Sequence, residues 1–228
     1  MPDNQDPVFL ITGASTGIGA ATARDAAEAG YRVVLAARST DKIEALAEEL
    51  DGLAVTCDVT EWEDQQRLVE TALKTYGRID VAFANAGFGG PRGFQKGDPE
   101  EWKAMVLTNV YGAALTIRAT MEPLKETKGH LLLTGSVAGR RALQGSLYSA
   151  TKWAVTGMGE SARQDFNDTG VRVTVTEPGM TDTPFFEQGA GEGALEADDI
   201  ARAVMYAIAQ PPHVDVNEIL IRPTSQGG

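Results

Sequence analysis

The sequence predicts an α/β fold with a doubly wound parallel sheet, on three observations. Short apolar runs recur along the chain, each followed by a stretch of helical character. The runs are nearly continuous in hydrophobic residues rather than alternating, which is how strands buried on both faces read. The length of 228 residues, with 43% hydrophobic and 23% charged residues, suits one domain around one core, and no repeat, linker or shift of composition marks a second.

A first strand is predicted over residues 8–11, behind a loose acidic leader, MPDNQDP. Residues 20–29 are rich in alanine and form a helix stopped by Gly30. YRVVLAA at 31–37 is the second strand, and Thr40 or Asp41 caps a helix that runs to Leu50. LAVTC at 53–57 is the third strand, a helix follows over 62–76 with Gly77 closing it, and VAFA at 81–84 is the fourth strand. Asp98 caps and Pro99 opens one long helical region to about Leu124. HLLLTG at 130–135 is the fifth strand, followed by a helix over 149–167, and VRVTVTE at 171–177 is the sixth. A helix over 198–210 leads to the seventh strand, NEILI at 217–221. Residues 179–194 show no period, carry Pro184, Phe185, Phe186 and several glycines, and read as a mobile flap.

A formal net charge of −12 disfavours nucleic acid or an anionic membrane surface as the main partner, while leaving room for a local positive pocket. Cys57 is the sole cysteine, so no intrachain disulfide forms and a reducing compartment is the simplest setting. The apolar VFLI after the leader is far shorter than a signal or membrane span, which leaves the cytoplasm as the default location. His130 and His213 lie far apart and, with one cysteine, make no metal-ligand set; neither follows a nucleophile turn of the hydrolase kind.

TGASTGIG at 12–19 sits between the first strand and the first helix, where glycines carry chemical meaning. Gly13 permits a tight turn, Gly17 clears room for close approach, and Gly19 allows close packing. The helix start, with Ser15, Thr16 and Ile18, offers unpaired N–H groups to a pyrophosphate. The spacing differs from GxGxxG, and a plain helix-start turn is the other reading. An NAD site wants a carboxylate at the end of the second strand to accept from the ribose hydroxyls. Here Ala37 holds that place and Arg38 and Ser39 follow, a guanidinium and a hydroxyl that suit a 2′-phosphate. Dual cofactor use is the rival, and a surface pairing of Arg38 with Asp41 or Glu44 is the plain alternative. Asp58, after the third strand, can accept from an adenine amino group or merely cap residues 61–62.

Tyr148 and Lys152 are four apart in SLYSATKWAV, so on a helix they share a face, and the ammonium can lower the phenol's pKa by proximity. A tyrosine held this way passes a proton to a developing alkoxide. Ser136, just past the fifth strand, falls at the carboxyl edge of the sheet, where its hydroxyl can hold a substrate oxygen. Alone, such a Tyr-Lys pair is more often an exposed amphipathic face; its value comes from the phosphate turn and the seven-strand alternation. Asn109 is awkward inside a long helix, and a local kink with a water held by its carbonyl would give it a purpose; a solvated helical asparagine is the alternative.

Together these motifs resemble the short-chain dehydrogenase/reductase family in its form of roughly 250 residues, over residues 9–224. TGASTGIG resembles the family's cofactor turn, Asp58-Val59 its adenine-contact pair, and Asn85-Ala86-Gly87 its NAG motif. Asn109, Ser136, Tyr148 and Lys152 match its catalytic tetrad. Pro178-Gly179-Met180-Thr181-Asp182-Thr183 resembles the stretch that receives the nicotinamide amide and the phosphates. The resemblance implies a single-domain Rossmann-like fold, its cofactor half at about 8–135 and its catalytic and substrate half at about 136–228. It also implies NADP(H), preferred over NAD(H), and hydride transfer between nicotinamide C4 and a carbonyl or alcohol carbon. Tyr148 would be the acid or base, Lys152 would bind the ribose hydroxyls, Ser136 would orient the carbonyl, and Asn109 would place the water of a proton relay. VNEILIRPTSQ resembles the branch of NADP-dependent alcohol dehydrogenases, carbonyl reductases and serine-dehydrogenase-like enzymes. A homotetramer, or a homodimer, through the two long helices is implied as well.

Three departures stand out. Ala84 replaces the first asparagine of NNAG, Ser136 and Tyr148 are one residue closer than in many relatives, and the segment after Thr183 is short, which predicts an open pocket. Substrate-lining residues are expected among Arg140, Leu143, Met180, Phe185 and Phe186, with Arg141 and Phe88 as further candidates; a solvated pair is the plainer reading of the arginines. The expected activity is NADPH-dependent carbonyl reduction. Its rivals are an NADP-linked dehydrogenase of a small hydroxy acid, a 3-oxoacyl reductase, whose acidic carrier the chain's own charge disfavours, and a non-catalytic dinucleotide sensor or scaffold.

Overall fold

The computed structural model describes residues 6–186 and 189–227. Residues 1–5 of the acidic leader and residues 187–188 of the flap lie outside the described residues. The described residues form nine strands, interleaved with helices except that three, over 172–178, 181–182 and 195–196, follow one another directly. Strands β1 (Val8–Thr12), β2 (Arg32–Ala37), β3 (Leu53–Thr56), β4 (Val81–Ala84), β5 (His130–Thr134), β6 (Arg172–Pro178) and β9 (Glu218–Ile221) make one sheet in the order β3-β2-β1-β4-β5-β6-β9. Every pairing in it is parallel. β1 is wholly buried and β2, β4, β5 and β6 nearly so, which explains their uninterrupted apolar runs.

The two sheet faces carry separate apolar clusters. One packs α1 (Gly17–Glu28), α2 (Thr40–Leu50) and α7 (Ala197–Ile208) through Ala23, Ala26, Ile43, Leu46, Val204 and Ile208 against Phe9, Ile11, Val33, Leu35 and Phe83. The other packs α3 (Trp62–Tyr76), α5 (Ala113–Thr127) and α6 (Leu147–Asp165) through Leu68, Ile117, Leu124, Val155 and Ala162 against Leu10, Val34, Leu131 and Val173. β1 is flanked by β2 on one side and β4 on the other, so chain order reverses there, the point at which open parallel sheets place their ligands past the carboxyl ends of the strands. Among the described residues no helix is long and apolar enough to cross a membrane.

Several boundaries differ from the sequence expectation for identifiable reasons. α1 begins at Gly17 rather than residue 20, because Thr16 is extended (φ −159°) and the helix opens inside the glycine turn. Ser39, not Thr40 or Asp41, is the N-cap residue of α2, and its side chain makes no capping hydrogen bond. α6 starts two residues early because the Ser146 hydroxyl accepts from the Ser149 N–H. The single helix expected over 99–124 is instead α4 (Pro99–Val106), a π-helical segment over Leu107–Gly112, and α5. An inserted residue in such a turn widens the helix, frequently at a functional position; here the segment contains Asn109. The flap contains two strands that were not anticipated, β7 (Thr181–Asp182) and β8 (Leu195–Glu196), which pair with each other. Two residues are too few to show a period. Leu195 N–H to Met180 O at 2.9 Å and Ala190 N–H to Asp182 Oδ1 at 3.3 Å tie this segment to its own base.

The core includes one buried base. His130 is 1% exposed, with Nε2 2.7 Å from Thr174 Oγ1. Since that hydroxyl donates to Val216 O, Nε2–H is the donor, and Nδ1 has no partner among the described residues. Burial pushes His130 down to about 3 from 6.5. Between those values the unfolded chain binds more protons, so this contribution to stability is complete above pH 6.5 and is lost as pH falls toward 3. We expect the native protein to lose about 2 kcal/mol from this group between pH 7 and pH 5. Urea midpoints at the two values check it, and His130→Gln should show a smaller decline. An equal decline in both proteins would rule the histidine out as its source.

Candidate active site

The carboxyl edge of the sheet gathers the predicted residues from both halves of the chain. Gly13 and Gly17 adopt φ of +65° and +55°, a region that L side chains rarely adopt. A Cβ on Gly19 would stand 2.4 Å from Gly13 O, and one on Gly17 would meet Thr183 at 3.2 Å. The turn is therefore packed tightly behind its crest, while Ser15, Thr16 and Ile18 stay half-exposed on it. No side chain caps α1 and no acidic residue sits in its first turn, so its leading N–H groups remain available to an anion.

Arg38 and Ser39 are exposed just past β2. Arg38 makes no ion pair among the described residues, so the anticipated alternative of a surface pair with Asp41 or Glu44 is not what the structure shows. Asp58 behaves more locally than expected: its Oδ1 accepts from the Thr60 N–H (3.0 Å) and hydroxyl (2.8 Å), a turn of its own rather than a cap on residues 61–62. Val59 is buried beside Gly112.

The Asn85-Ala86-Gly87 segment is a hydrogen-bonded joint between strands. Asn85 Nδ2 donates to Thr12 O at 3.0 Å, its Oδ1 accepts from Thr134 Oγ1 at 3.0 Å, and its N–H reaches Thr12 Oγ1 at 3.1 Å. Losing the preceding asparagine to Ala84 leaves this joint intact. Gly87 lies so close that a Cβ would come within 3.1 Å of Asn109 Oδ1. Asn109 is 1% exposed, which removes the solvated-helix alternative. Its Oδ1 accepts from the Phe88 N–H at 3.0 Å, while Nδ2 donates to Phe88 O at 2.9 Å and to Thr151 Oγ1 at 3.1 Å. The π-helical segment thus turns a short polar side chain inward to clamp the 85–88 loop against α6.

Tyr148 and Lys152 occupy the first two turns of α6. Lys152 is buried, donates to Thr134 O at 2.7 Å, and has its Nζ 5.7 Å from the centre of the Tyr148 ring. Burial pushes this ammonium down to about 8. The phenol moves opposite to the sequence expectation: burial pushes Tyr148 up to about 12, with a hydrogen bond to Ser136 working against that shift. Desolvation of the anion outweighs any help from the lysine, whose hydrogen bond goes to the sheet. Ser136 Oγ accepts from the Ala138 N–H at 3.1 Å and lies 3.5 Å from Pro178 O. A protonated phenol beside a serine hydroxyl can hold and protonate an oxygen that is gaining charge.

The flap supplies the remaining wall. Phe185 packs edge-on against Tyr148 (centroids 5.5 Å) and against Phe186 (5.0 Å), and covers Gly89. Gly179 N–H donates to Ile221 O, Met180 is exposed, Thr181 is buried and Thr183 adjoins Gly17. Leu143 is half-buried, its N–H donating to Ser149 Oγ. Arg140 requires a correction. Its Nε lies 2.7 and 2.9 Å from the carboxylate oxygens of Glu177, and it also pairs with Glu218. The buried Glu177 needs a countercharge, so this guanidinium is committed to the protein and not offered to a substrate. Glu177, Thr12, Thr134 and Thr151 were not anticipated. A glutamate or threonine at the end of an apolar strand was the available signal for Glu177, Thr12 and Thr134, and Thr151 on α6 had none.

Residues 7–191 match the short chain dehydrogenase family. An uncharacterized oxidoreductase of Staphylococcus saprophyticus is 38% identical, over 98% of this chain and all of that protein. Among solved structures, an alcohol dehydrogenase from the archaeon Thermococcus sibiricus complexed with 5-hydroxy-NADP is 33% identical. It covers 97% of this chain and 98% of its own, with a TM-score of 0.92. A closed form of serine dehydrogenase complexed with NADP+ is 28% identical, covering 97% and 96%, also at 0.92. The fold and the likeness together define a Rossmann-like oxidoreductase. The chain belongs to the short-chain dehydrogenase family.

Proposed function

We propose that the chain is an NADPH-dependent carbonyl reductase, working on a ketone, aldehyde or secondary alcohol with Tyr148 as general acid and base. The convergence of Ser136, Tyr148 and Lys152 at the carboxyl edge of the sheet carries this reading. The glycine cradle and the uncapped start of α1 fit a dinucleotide pyrophosphate. Gly13, Ser15, Thr16, Gly17, Ile18 and Gly19 would hold it, with Arg38 and Ser39 on the 2′-phosphate and Asp58 and Val59 at the adenine. Asn85, Ala86, Gly87, Pro178, Gly179, Thr181 and Thr183 would bound the nicotinamide end. The likeness to structures holding NADP+ and 5-hydroxy-NADP supports the same choice.

When bound, the nicotinamide supplies the hydride for reduction. Ser136 holds the carbonyl oxygen, and Tyr148, protonated at neutral pH, gives its proton to that oxygen as charge develops. Lys152 binds ribose hydroxyls and, with Asn109, serves the path that restores the proton. Phe185, Phe186, Leu143 and Met180 form the wall on the substrate side. A dehydrogenase of a small hydroxy acid is the second reading, favoured by the likeness to serine dehydrogenase. We read the chain as one domain, cytoplasmic, acting on a small molecule rather than nucleic acid or membrane. Homotetramer or homodimer assembly is supported by the exposed Tyr111 on the π-helical segment and Trp153 on α6.

Paired titration with NADPH and NADH, followed by fluorescence at fixed ionic strength, tests this reading, with ketones and aldehydes then screened for turnover. NADPH should bind at least about tenfold tighter, the worth of one charge-assisted contact. Equal binding would remove the NADP assignment and leave the tetrad standing. No binding of either would return the sensor reading.

A further inference from the structure

Glu177 is the penultimate residue of β6, directly before Pro178-Gly179, and is 1% exposed. A lone buried carboxylate is costly, and this one is met from two directions. Arg140 grips it from the turn that follows β5, and the Thr156 hydroxyl lies 3.1 Å from Oε1 on α6, one helical turn beyond Lys152. Burial raises the Glu177 pKa, opposed chiefly by its bond to Arg140. Arg140 also pairs with Glu218 of β9. Gly139 brings the turn directly onto the helix: a Cβ there would stand 2.7 Å from Lys152 O and 2.9 Å from Thr156 Oγ1. Beside the Ser136–Tyr148 hydrogen bond and the packing of Gly139, one buried carboxylate thus bridges the turn that begins with Ser136 to the helix carrying Tyr148 and Lys152.

The geometry points to Glu177, acting through Arg140 and Thr156, as a positioning residue that fixes the Ser136 hydroxyl against the Tyr148 phenol. The pair of charges is engaged within the protein, Arg140 with Glu177 and Glu218. Its effect passes through the 136–140 turn, whose placement decides whether Ser136 and Tyr148 reach one oxygen together. The glycine crest at 13–19 spans the β1–α1 turn and the start of α1 and is tied to β2 by the Ala14 N–H to Ala36 O bond, and Gly179 keeps its own backbone tie to Ile221. This inference rests on the proposed roles of Ser136 and Tyr148, and one arm of its test needs neither substrate nor turnover.

Glu177→Gln keeps the size of the side chain and removes its charge. Hydrogen exchange should quicken by at least about tenfold at the amides of Ala138 and Arg140, with β1 and β4 unchanged, as local opening of a weakened turn requires. For the carbonyl substrate found in the screen, kcat should fall about tenfold to a hundredfold while the NADPH Kd stays within about threefold, as misplacement of a reacting group predicts. Since a single change leaves Arg140 facing an altered partner, the double variant Arg140→Met with Glu177→Met provides the second test. Removing both charges together spares the fold, because neither is left buried and unpaired. That variant should fold and show the same fast exchange and low kcat. Wild-type exchange at 137–140 in a folded double variant would overturn the inference, as would wild-type kcat or a loss shared equally by NADPH binding. If the unsubstituted protein reduces no carbonyl, the reductase reading fails by itself and the exchange result still decides whether the carboxylate holds the turn.

Discussion

Tyr148→Phe is expected to lower kcat for carbonyl reduction about a thousandfold, the usual worth of a positioned general acid. The half-buried phenol stands among Ser136, Lys152 and Phe185, and its pKa, pushed up to about 12, keeps the proton on oxygen at neutral pH. Phenylalanine preserves the ring, so its edge-on packing with Phe185 survives and the fold is not perturbed. The NADPH Kd should stay within about threefold, which places the loss in the transition state and not in cofactor binding. Single-turnover rates with saturating NADPH provide the measurement. A variant that retains more than a tenth of the wild-type rate, an order of magnitude or so beyond what general-acid loss allows, would show that another group delivers the proton.

Arg38→Asp is expected to weaken NADPH binding by about a hundredfold or more and to turn the cofactor preference toward NADH. The guanidinium stands exposed past β2 without an ion pair among the described residues, so its two planar donors are free to meet a phosphate. The replacement removes those donors, sets a negative charge against the 2′-phosphate, and supplies the acceptor that suits free ribose hydroxyls. NADH binding should change little or improve. Because the site is open to solvent, the wild-type preference should also shrink as salt is raised. Fluorescence titrations of both proteins with both cofactors at two ionic strengths test this. An unchanged ratio of the two Kd values would make Arg38 a surface residue without a part in selectivity.

Much of this architecture was legible in the sequence because parallel strands buried on both faces leave uninterrupted apolar runs. β4 and α3 match their predicted spans, and the other strands of the main sheet differ by a residue at an end. The glycine turn and the placing of Ser136, Tyr148 and Lys152 near one another were legible too, since each is a short pattern placed just after a strand or on one helical face. Residues that act through long-range partners were not. Arg140 read as a substrate contact because nothing in GRRAL announces Glu177, thirty-seven positions away. For Asn109 the sequence offered a local kink or a solvated helical position without deciding, because the partners at Phe88 and Thr151 lie far along the chain.

Local sequence was enough for the chain order of the seven main-sheet strands, the glycine turn and the spacing that puts Tyr148 and Lys152 on one face. These are properties of local periodicity and of single residues. Tertiary structure alone decided the protonation states and the commitments of the charged groups: Tyr148 raised, Lys152 lowered, Arg140 taken by Glu177 and Arg38 left open. Desolvation and ion pairing depend on which segments meet in space, and that information appears only when the chain has closed around its sheet.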